Sequence, residues 1–322
     1  MSDPRIAILI PGKIHPRVLE TLGKPFDILT VERGDGPTID RETASRVRGV
    51  ASAGGLNAAW IDALPNLEVI ANFGVGYDGI DVAHAASKGI VVTNTPDVLN
   101  DEVADTAIGL LLNTLRQMPR AENWLRAGNW KPGQSFPLSP FSMKGRHVGL
   151  FGLGRIGLEI AKRLEPFKVK ISYHTRSRHK DVAYDYFPTL KEMAAAVDTI
   201  IAIVPKTAET HRVIDAEILG LLGPDGVLIN VGRGWSVDED ALIAALRDGK
   251  LGAAGLDVFY DEPVVPEGLL LLPNATLLPH IASASVPTRN AMADLVAENI
   301  IQWFTTGRPV TPVPETPPRS KG

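Results

Sequence analysis

An apolar run that passes directly into a glycine-rich turn and then into a helix is the feature that most constrains the fold. Residues 147–151 form the run, GLGRIG follows from Gly152 to Gly157, and apolar residues then recur at helical spacing. A dinucleotide pyrophosphate binds at such a junction: Gly152 makes the turn, Gly154 lets the backbone approach the phosphates, and Gly157 lets the helix pack on the strand. The helix N-terminus adds N–H donors. In a chain with 30 glycines the turn alone is a weak signal, but the flanking strand and helix favour a dinucleotide site over an ordinary glycine-rich turn.

The composition excludes several classes of protein. A length of 322 residues predicts two domains, and a net charge of -4 argues against a nucleic-acid binder, because phosphate backbones need a basic surface. The absence of cysteine excludes disulfides, thiolate metal sites and thiol catalysis, and it fits a cytoplasmic protein. The apolar residues 6–10 are too few for a signal peptide or a membrane span and predict a first strand. We therefore expect a cytoplasmic protein that binds no membrane, no nucleic acid and no metal.

Strand-like apolar runs alternate with helical segments along most of the chain. Alternating β and α elements imply parallel strands, and continuous apolar runs imply sheets buried on both faces. The predicted fold is α/β, with two Rossmann-like domains, each a doubly wound parallel sheet, and an active site in the cleft between them. Residues 286–304 predict a last helix that returns to the first domain. The chain would then divide into a discontinuous substrate-binding domain, residues 1–100 and 287–322, and a dinucleotide-binding domain, residues 101–286.

Three segments lie outside the alternating pattern. Residues 100–125 begin with Asn-Asp-Glu, which favours a helix start, and we expect one long helix that joins the two domains. Residues 129–143 contain three prolines and several aromatic residues without a clear period, so we expect an arm that contacts a second copy of the chain. Residues 308–322 are rich in proline and offer no core residues, so we expect a tail that is mobile beyond its first few residues.

Two loops are candidate binding elements. Residues 72–81, NFGVGYDGID, carry three glycines directly after a strand; either their backbone N–H groups cradle a carboxylate or the loop is simply flexible. The second loop reads Thr175, Arg176, Ser177 and Arg178, where an NAD-binding unit usually has Asp or Glu about 20 residues past the glycines. Guanidinium and hydroxyl groups bind a 2′-phosphate, which a carboxylate would repel. The loop is therefore either a site for the 2′-phosphate or a solvated basic turn. The first interpretation predicts a preference for NADPH, with NADH as a possible cofactor.

Three titratable or charged residues follow apolar strands near the C-terminal half of the second domain. Arg233 lies in NVGRG, Glu262 in GLDVFYDEP and His280 in LPHIAS. Each has an ordinary explanation alone: a surface charge, a turn residue before Pro263, and a histidine at a strand end. Together they fit hydride transfer to a 2-keto acid, which needs a cation for the substrate, an acid for the developing alkoxide, and a carboxylate that keeps the acid charged. Because ligands bind at the carboxyl ends of parallel strands, we expect the three to meet there.

These motifs, in order, resemble the D-isomer-specific 2-hydroxyacid dehydrogenase family. GLGRIG, NVGRG, GLDVFYDEP and LPHIAS carry the resemblance, with NFGVGYDGID and VLNDEVADTAIGLLL, and it covers residues 6–309. The TRSR loop is similar to the NADPH-preferring glyoxylate and hydroxypyruvate reductases, a branch that includes hydroxyphenylpyruvate reductases. The resemblance implies that His280 donates the proton, that Glu262 pairs with it, and that Arg233 binds the substrate carboxylate and polarises the keto group. It also implies a homodimer.

The resemblance further implies binding contacts. Besides Arg233 and His280, three residues match the positions at which the family contacts its substrate. Leu56 would contact the substrate side chain, and the backbone N–H groups of Val75 and Gly76 would donate to the substrate carboxylate. For the cofactor, Leu153 to Ile156 match the family's contacts with the pyrophosphate, Asp257 matches the contact with the nicotinamide amide, and Val231 and Gly232 match further contacts. The whole pyrophosphate turn consists of Gly152, Leu153, Gly154, Arg155, Ile156 and Gly157.

Several functions stay open beside reduction of glyoxylate and hydroxypyruvate to D-2-hydroxy acids. Hydroxyphenylpyruvate and sugar-derived keto acids are alternative substrates. Formate dehydrogenases of the same superfamily carry glutamine where this chain has Glu262, which disfavours that activity. A dinucleotide-sensing regulatory protein on the same scaffold can keep Arg233, Glu262 and His280, so these residues do not exclude it, whereas turnover of a 2-keto acid would. A methyltransferase is disfavoured, because Arg176 and Arg178 stand where an adenosyl ribose needs a carboxylate.

Overall fold

A computed structural model of the chain describes residues 5–34, 36 and 38–316. These residues form two compact units. The first unit comprises Met1–Leu99 and Ser285–Gly322, as far as these stretches are described, and the second unit comprises Asn100–Ala284. The last long helix therefore belongs to the first unit, although the whole second unit lies between it and Met1–Leu99 in sequence.

The first unit is a five-stranded parallel sheet with the strand order β2-β1-β3-β4-β5. Its strands are β1 Ala7–Pro11, β2 Asp27–Val31, β3 Val47–Ser52, β4 Val69–Asn72 and β5 Val91–Thr93, and its helices are α1 Pro16–Leu22, α2 Arg41–Arg46, α3 Ala58–Asp62, α4 Val82–Ser87 and α12 Val286–Thr306. Every residue of β1 is buried, because alternate side chains enter the cores on opposite faces of the sheet. Ile8 and Ile10 pack with α1 and α12, whereas Ala7 and Leu9 pack with Trp60 and Ile61 of α3.

The segment after α12 corrects the predicted tail. Val313 is buried, and its N–H donates to the Val92 carbonyl oxygen at 2.9 Å. The Thr316 hydroxyl accepts from the Val92 N–H, also at 2.9 Å. The prediction that the tail offers no core residues is therefore wrong up to Thr316: this segment covers the edge strand β5, whose backbone would otherwise lack partners on one side. The predicted mobile end, residues 317–322, lies outside the described residues.

The second unit is a seven-stranded parallel sheet with the strand order β12-β11-β10-β9-β6-β7-β8. Its strands are β6 His147–Phe151, β7 Lys170–His174, β8 Asp185–Tyr186, β9 Thr199–Ala202, β10 Val227–Asn230, β11 Ala253–Leu256 and β12 Ala275–Leu277. Its α-helices are α5 Asn100–Arg116, α6 Met118–Arg126, α7 Arg155–Leu164, α8 Leu190–Ala194, α9 Ala216–Leu222, α10 Glu239–Arg247 and α11 Glu267–Leu270, with 3₁₀ turns at Glu165–Phe167, Ala208–Thr210 and Gly234–Ser236. The strand order reverses between β6 and β9, which is where such sheets bind ligands. The prediction of two parallel α/β sheets is confirmed.

The predicted long helix of residues 100–125 is two helices. Gln117 separates α5 from α6 with a left-handed φ of 52°. The cause is Pro119, which has no N–H and cannot donate to the Leu115 carbonyl four residues earlier. The Ser139 hydroxyl donates to that carbonyl instead. The segment that contains Ser139, residues 129–143, is the predicted contact arm; it exposes 72% of Trp130 and 95% of Leu138.

Among the described helices, none combines the length and the apolar character that a membrane crossing requires.

Candidate active site

Gly152 at the turn after β6 and Gly157 within α7 both lie where a side chain would clash. Gly152 has a φ of 104°, and a Cβ there would lie 2.7 Å from the Ile203 carbonyl oxygen. A Cβ on Gly157 would lie 2.5 Å from the Gly152 carbonyl oxygen, so only glycine allows this helix to approach its strand so closely. A Cβ on Gly154 would meet nothing within 4 Å. Open space therefore lies beside the residue that the sequence assigns to the phosphates.

The start of α7 fits a pyrophosphate. The first turn of any α-helix has N–H groups without intrahelical acceptors. The N-cap residue is Gly154, which has no side chain that could accept a hydrogen bond from those N–H groups. The ten-residue helix also directs the positive end of its dipole towards this turn. The backbone here suits a diphosphate better than it suits a neutral ligand.

The loop after β7 presents basic and hydroxyl groups. Its start is fixed, because the Tyr186 hydroxyl donates to the Thr175 carbonyl at 3.2 Å and the Thr175 hydroxyl donates to the Ser177 carbonyl at 2.7 Å. Arg176, Ser177 and Arg178 are exposed. The loop follows β7, the strand next to β6 in the sheet, so it lies at the same sheet edge as the glycine turn. These residues fit a phosphate on the adenosine ribose.

The turn that carries Arg233 is built by Asn230 at the end of β10. The Asn230 amide donates to the Arg233 carbonyl and accepts from the Gly232 N–H, both at 3.0 Å. The half-buried Arg233 side chain donates from Nη1 to the Gly232 carbonyl at 2.8 Å. A Cβ on Gly234 would lie 1.9 Å from the Phe259 carbonyl carbon. The Arg233 turn therefore packs directly on the chain that leads to Glu262.

Asp257 fixes the turn that carries His280. The Asp257 carboxylate is fully buried and accepts from the Ile281 N–H at 2.7 Å and from the Ala282 N–H at 2.9 Å. Burial raises the pKa of Asp257, against the opposite effect of these two hydrogen bonds. The His280 N–H donates to the Asp257 carbonyl at 2.8 Å, and His280 adopts a left-handed φ of 53°. Sequence reasoning missed this structural role; the contact of Asp257 with a nicotinamide amide stays a prediction.

His280 and Glu262 contact each other at the carboxyl edge of the second sheet. His280 Nδ1 lies 2.7 Å from Glu262 Oε2, with 47% and 34% of the two side chains exposed. Glu262 Oε1 accepts from the Phe259 N–H at 3.0 Å. Burial raises the pKa of Glu262, but the hydrogen bonds from His280 and Phe259 and the charges of His280 and Arg233 outweigh it, so the pKa is lowered. Glu262 is ionised near neutral pH, and with Nδ1 engaged, Nε2 is the His280 atom that can transfer a proton.

The loop of residues 72–81 in the first unit is ordered by two asparagines. Asn72 donates to the Gly74 and Gly76 carbonyls at 3.1 and 2.9 Å, and Asn94 donates to the Val75 carbonyl at 2.8 Å. The N–H and C=O groups of a trans peptide point in opposite directions. The Val75 and Gly76 N–H groups therefore point away from these asparagines. These hydrogen bonds favour an anion cradle over a flexible loop, and the cradle stays a prediction.

Leu56 and Arg33 lie on neighbouring loops of the first unit. The Leu56 side chain is only 1% exposed and belongs to the core, so its predicted contact with a substrate side chain stays a prediction. Arg33 donates to the Gly55 and Pro11 carbonyls at 3.0 Å and to the Ser52 hydroxyl at 2.9 Å. Sequence reasoning missed this residue, which ties the ends of β1 and β3 together. Its position just after β2 was the available signal, because parallel strands end at one edge.

No cluster of three or more His, Asp or Glu side chains that could hold a metal ion occurs in the described part of the chain.

Comparison with known proteins identifies the family. Residues 108–282 match the D-isomer specific 2-hydroxyacid dehydrogenase, NAD binding domain. The chain belongs to the D-isomer-specific 2-hydroxyacid dehydrogenase family. The resemblance inferred from the motifs is confirmed.

The relatives compared below each cover 84% or more of this 2-hydroxyacid dehydrogenase. It is 48% identical over 273 residues to glyoxylate/hydroxypyruvate reductase A of Arabidopsis thaliana, covering 85% of this chain and 86% of the relative. It is also 48% identical over 273 residues to hydroxyphenylpyruvate reductase of Plectranthus scutellarioides, covering 84% and 86%. A crystal structure of an NADPH-dependent glyoxylate/hydroxypyruvate reductase from Sinorhizobium meliloti, in complex with NADP and malonate, is similar with a TM-score of 0.96 and 59% identity, covering 99% of each chain.

Proposed function

We propose that this dehydrogenase reduces glyoxylate to glycolate and hydroxypyruvate to the D-2-hydroxy acid, with NADPH as the preferred reductant. The observation that carries the proposal is the contact between His280 Nδ1 and Glu262 Oε2, 2.7 Å apart at the edge of the sheet. An ionised carboxylate beside a histidine favours the protonated imidazole, which is the form that a proton donor needs. The similarity to reductases named for these substrates supports the choice of keto acid.

The proposed cofactor site consists of the glycine turn and the basic loop. Gly152 to Gly157 with the start of α7 would hold the pyrophosphate, and Thr175 to Arg178 would hold the 2′-phosphate. Val231, Gly232 and Asp257 complete the proposed contacts. When bound, NADPH supplies the hydride for the keto carbon. NADH would make the same contacts except those of the basic loop, so we expect it to serve as a weaker reductant.

The proposed substrate site uses charge and backbone donors. Arg233 binds the substrate carboxylate and polarises the keto oxygen, while the Val75 and Gly76 N–H groups donate to the same carboxylate. Leu56 is the proposed neighbour of the substrate side chain. His280 Nε2 donates a proton to the oxygen as negative charge develops on it, and His280 becomes neutral. Glu262 stays ionised and stabilises the imidazolium before that transfer.

Initial rates with a panel of 2-keto acids and both reduced cofactors test the proposal. We expect the highest kcat/KM with glyoxylate or hydroxypyruvate and NADPH, and chiral analysis of the glycerate formed from hydroxypyruvate should give the D isomer. The absence of turnover with every keto acid would contradict the proposal and favour a dinucleotide-sensing binding protein.

A second candidate substrate is hydroxyphenylpyruvate. The similarity to a hydroxyphenylpyruvate reductase, at the same 48% identity, supports it. Including this compound, a 2-keto gluconate and phenylpyruvate in the panel separates the candidates. A higher kcat/KM for the aryl compounds than for hydroxypyruvate would assign the chain to aryl pyruvates.

The proposal also includes a homodimer that works in the cytoplasm. The exposed Trp130 and Leu138 of the contact arm, with 72% and 95% exposure, support a contact between copies. The absence of cysteine supports the compartment. Light scattering after size exclusion should give twice the mass of one chain, and Trp130→Ser with Leu138→Ser should shift it towards the mass of one chain. A wild-type protein that stays monomeric would contradict the dimer, and recovery in a membrane or periplasmic fraction would contradict the compartment.

A further inference from the structure

Three aromatic rings meet beside the Arg233 turn and the Glu262 turn. The Trp235 and Tyr260 rings stack, with centroids 5.6 Å apart and planes 13° apart. His211 lies 4.0 Å from the Trp235 ring, and its Nε2 lies 3.1 Å from the Tyr260 hydroxyl. We call these three residues the aromatic clamp. They come from the loops after β9, β10 and β11, so the clamp joins three neighbouring strand ends of the second sheet.

Each large ring of the clamp is anchored in addition to the stack. Trp235 donates from Nε1 to the Thr207 carbonyl at 2.8 Å, and Lys206 Nζ lies 4.5 Å from the Trp235 ring centroid. The guanidinium carbon of Arg212 lies 4.8 Å from the Tyr260 centroid. Cations over aromatic faces stabilise such rings. The clamp is therefore a fixed arrangement and not an accidental contact of two surface side chains.

The clamp lies two residues from each of two proposed catalytic groups. Trp235 follows Arg233 by two residues in the 3₁₀ turn Gly234–Ser236, and Tyr260 precedes Glu262 by two residues. Between them, Gly234 packs against the Phe259 carbonyl so closely that no Cβ fits. Phe259 also donates its N–H to Glu262. A shift of Trp235 relative to Tyr260 would thus change the distance between the Arg233 turn and the Glu262–His280 pair.

We propose that Trp235 and Tyr260 are positioning residues that hold Arg233 in register with the Glu262–His280 pair. This inference rests on the proposed function, because the clamp can affect keto-acid reduction only if Arg233, Glu262 and His280 carry out that reaction. Reacting groups must be held closely, since a displacement of about 1 Å can reduce a rate about 100-fold. Neither ring needs to touch substrate for this role.

Single substitutions separate the stack from the other contacts. Trp235→Leu and Tyr260→Leu each remove the stack and should lower kcat/KM for the keto acid about 10–100-fold, with the dissociation constant for NADPH unchanged by calorimetry. Trp235→Phe keeps a ring and should recover most of the activity. Tyr260→Phe removes only the contact with His211 and should stay within about threefold of wild type.

A double-mutant cycle tests whether Trp235 acts through Arg233. If it does, Trp235→Leu should cost much less in an Arg233→Lys background than in wild type, because the group that it positions is already impaired. Trp303→Phe is the matched control: Trp303 also donates its ring N–H, to Glu68 at 3.1 Å, but lies in the core of the first unit. That variant should lower Tm and leave kcat/KM unchanged.

Three results would overturn the clamp: unchanged kcat/KM in Trp235→Leu, effects of Trp235→Leu and Arg233→Lys that multiply, or no recovery in Trp235→Phe. The Phe variants keep the test decisive if a Leu variant does not fold. An inactive wild-type enzyme would contradict the proposed function itself. An active wild type together with an unchanged kcat/KM in Trp235→Leu would contradict only the role of the clamp.

Discussion

Replacing Glu262 by Gln should move the pH dependence of both reaction directions. Gln keeps the shape and a hydrogen-bond acceptor for His280 Nδ1, but removes the negative charge that stabilises the imidazolium. In wild type this charge persists well below neutral pH, because the pKa of Glu262 is lowered. The protonated form of His280 therefore becomes less stable in Glu262→Gln, and reduction should be lost at a lower pH than in wild type.

The size of this shift follows from the contact distance and the exposure. A charge-assisted hydrogen bond contributes about 1.5–3 kcal/mol, whereas an exposed ion pair contributes about 0–1 kcal/mol. The pair is 2.7 Å apart, and 47% of the His280 side chain is exposed, so solvent screens part of the attraction. We therefore expect the Glu262 charge to stabilise protonated His280 by about 1–2 kcal/mol. At 1.36 kcal/mol per pH unit, this corresponds to a shift of roughly one unit in the pH profile.

The assay is kcat/KM against pH in both directions. For wild type, reduction should fall and oxidation of the hydroxy acid should rise over the same pH range, because the two directions need protonated and neutral His280 respectively. Both limbs should lie about one unit lower in Glu262→Gln. The dissociation constant for NADPH serves as the control and should not change. Superimposable profiles of Glu262→Gln and wild type would refute the reasoning and require another acid.

Three further variants test the rest of the site. Arg233→Lys should lower kcat/KM for the keto acid at least about tenfold, because an ammonium cannot make a planar two-point contact, and near-normal steady-state kinetics would remove Arg233 from the site. Arg176→Ala with Arg178→Ala should lower the ratio of NADPH to NADH efficiency about 10–100-fold, for a shared loss of about 1.5–3 kcal/mol; a retained ratio would mean that the loop does not bind the phosphate. Arg33→Met should raise KM for the keto acid more than it lowers kcat, because the loop that leads to Leu56 loses its hydrogen bond at Gly55 and the bonds that tie β3 to β1 at its start. Arg48→Met, which breaks an ion pair with Glu68 in the same unit, is the control and should change Tm but not KM; equal effects of the two variants on KM would contradict a positioning role for Arg33.

The sheets could be predicted from the sequence because their signals are local. Continuous apolar runs and the GLGRIG junction each lie within one stretch of chain, and parallel order follows from the alternation of strands and helices. The helix break at Gln117 was missed although Pro119 is a local signal. The helical spacing on both sides predicts one continuous helix, and the donor that bonds to the Leu115 carbonyl, Ser139, is 24 residues away in sequence.

The site was predicted in part for the same reason. Arg233, Glu262 and His280 each follow a strand, so the rule for parallel sheets indicated one edge, and the 2.7 Å contact of Glu262 with His280 agrees with the expected pairing. The supporting contacts were not predictable, because they depend on approach distances between loops. Asp257 bonds to backbone N–H groups 24 and 25 residues later, and the stack of Trp235 on Tyr260 joins two different loops.

The most direct test of the central claim compares wild type with His280→Ala in NADPH-dependent reduction of hydroxypyruvate. The account predicts that wild type turns over and that His280→Ala loses about 10²–10⁴-fold in kcat, the usual span for a general acid, while it still binds NADPH as tightly as wild type. A His280→Ala enzyme that reduces hydroxypyruvate at the wild-type rate would contradict the account.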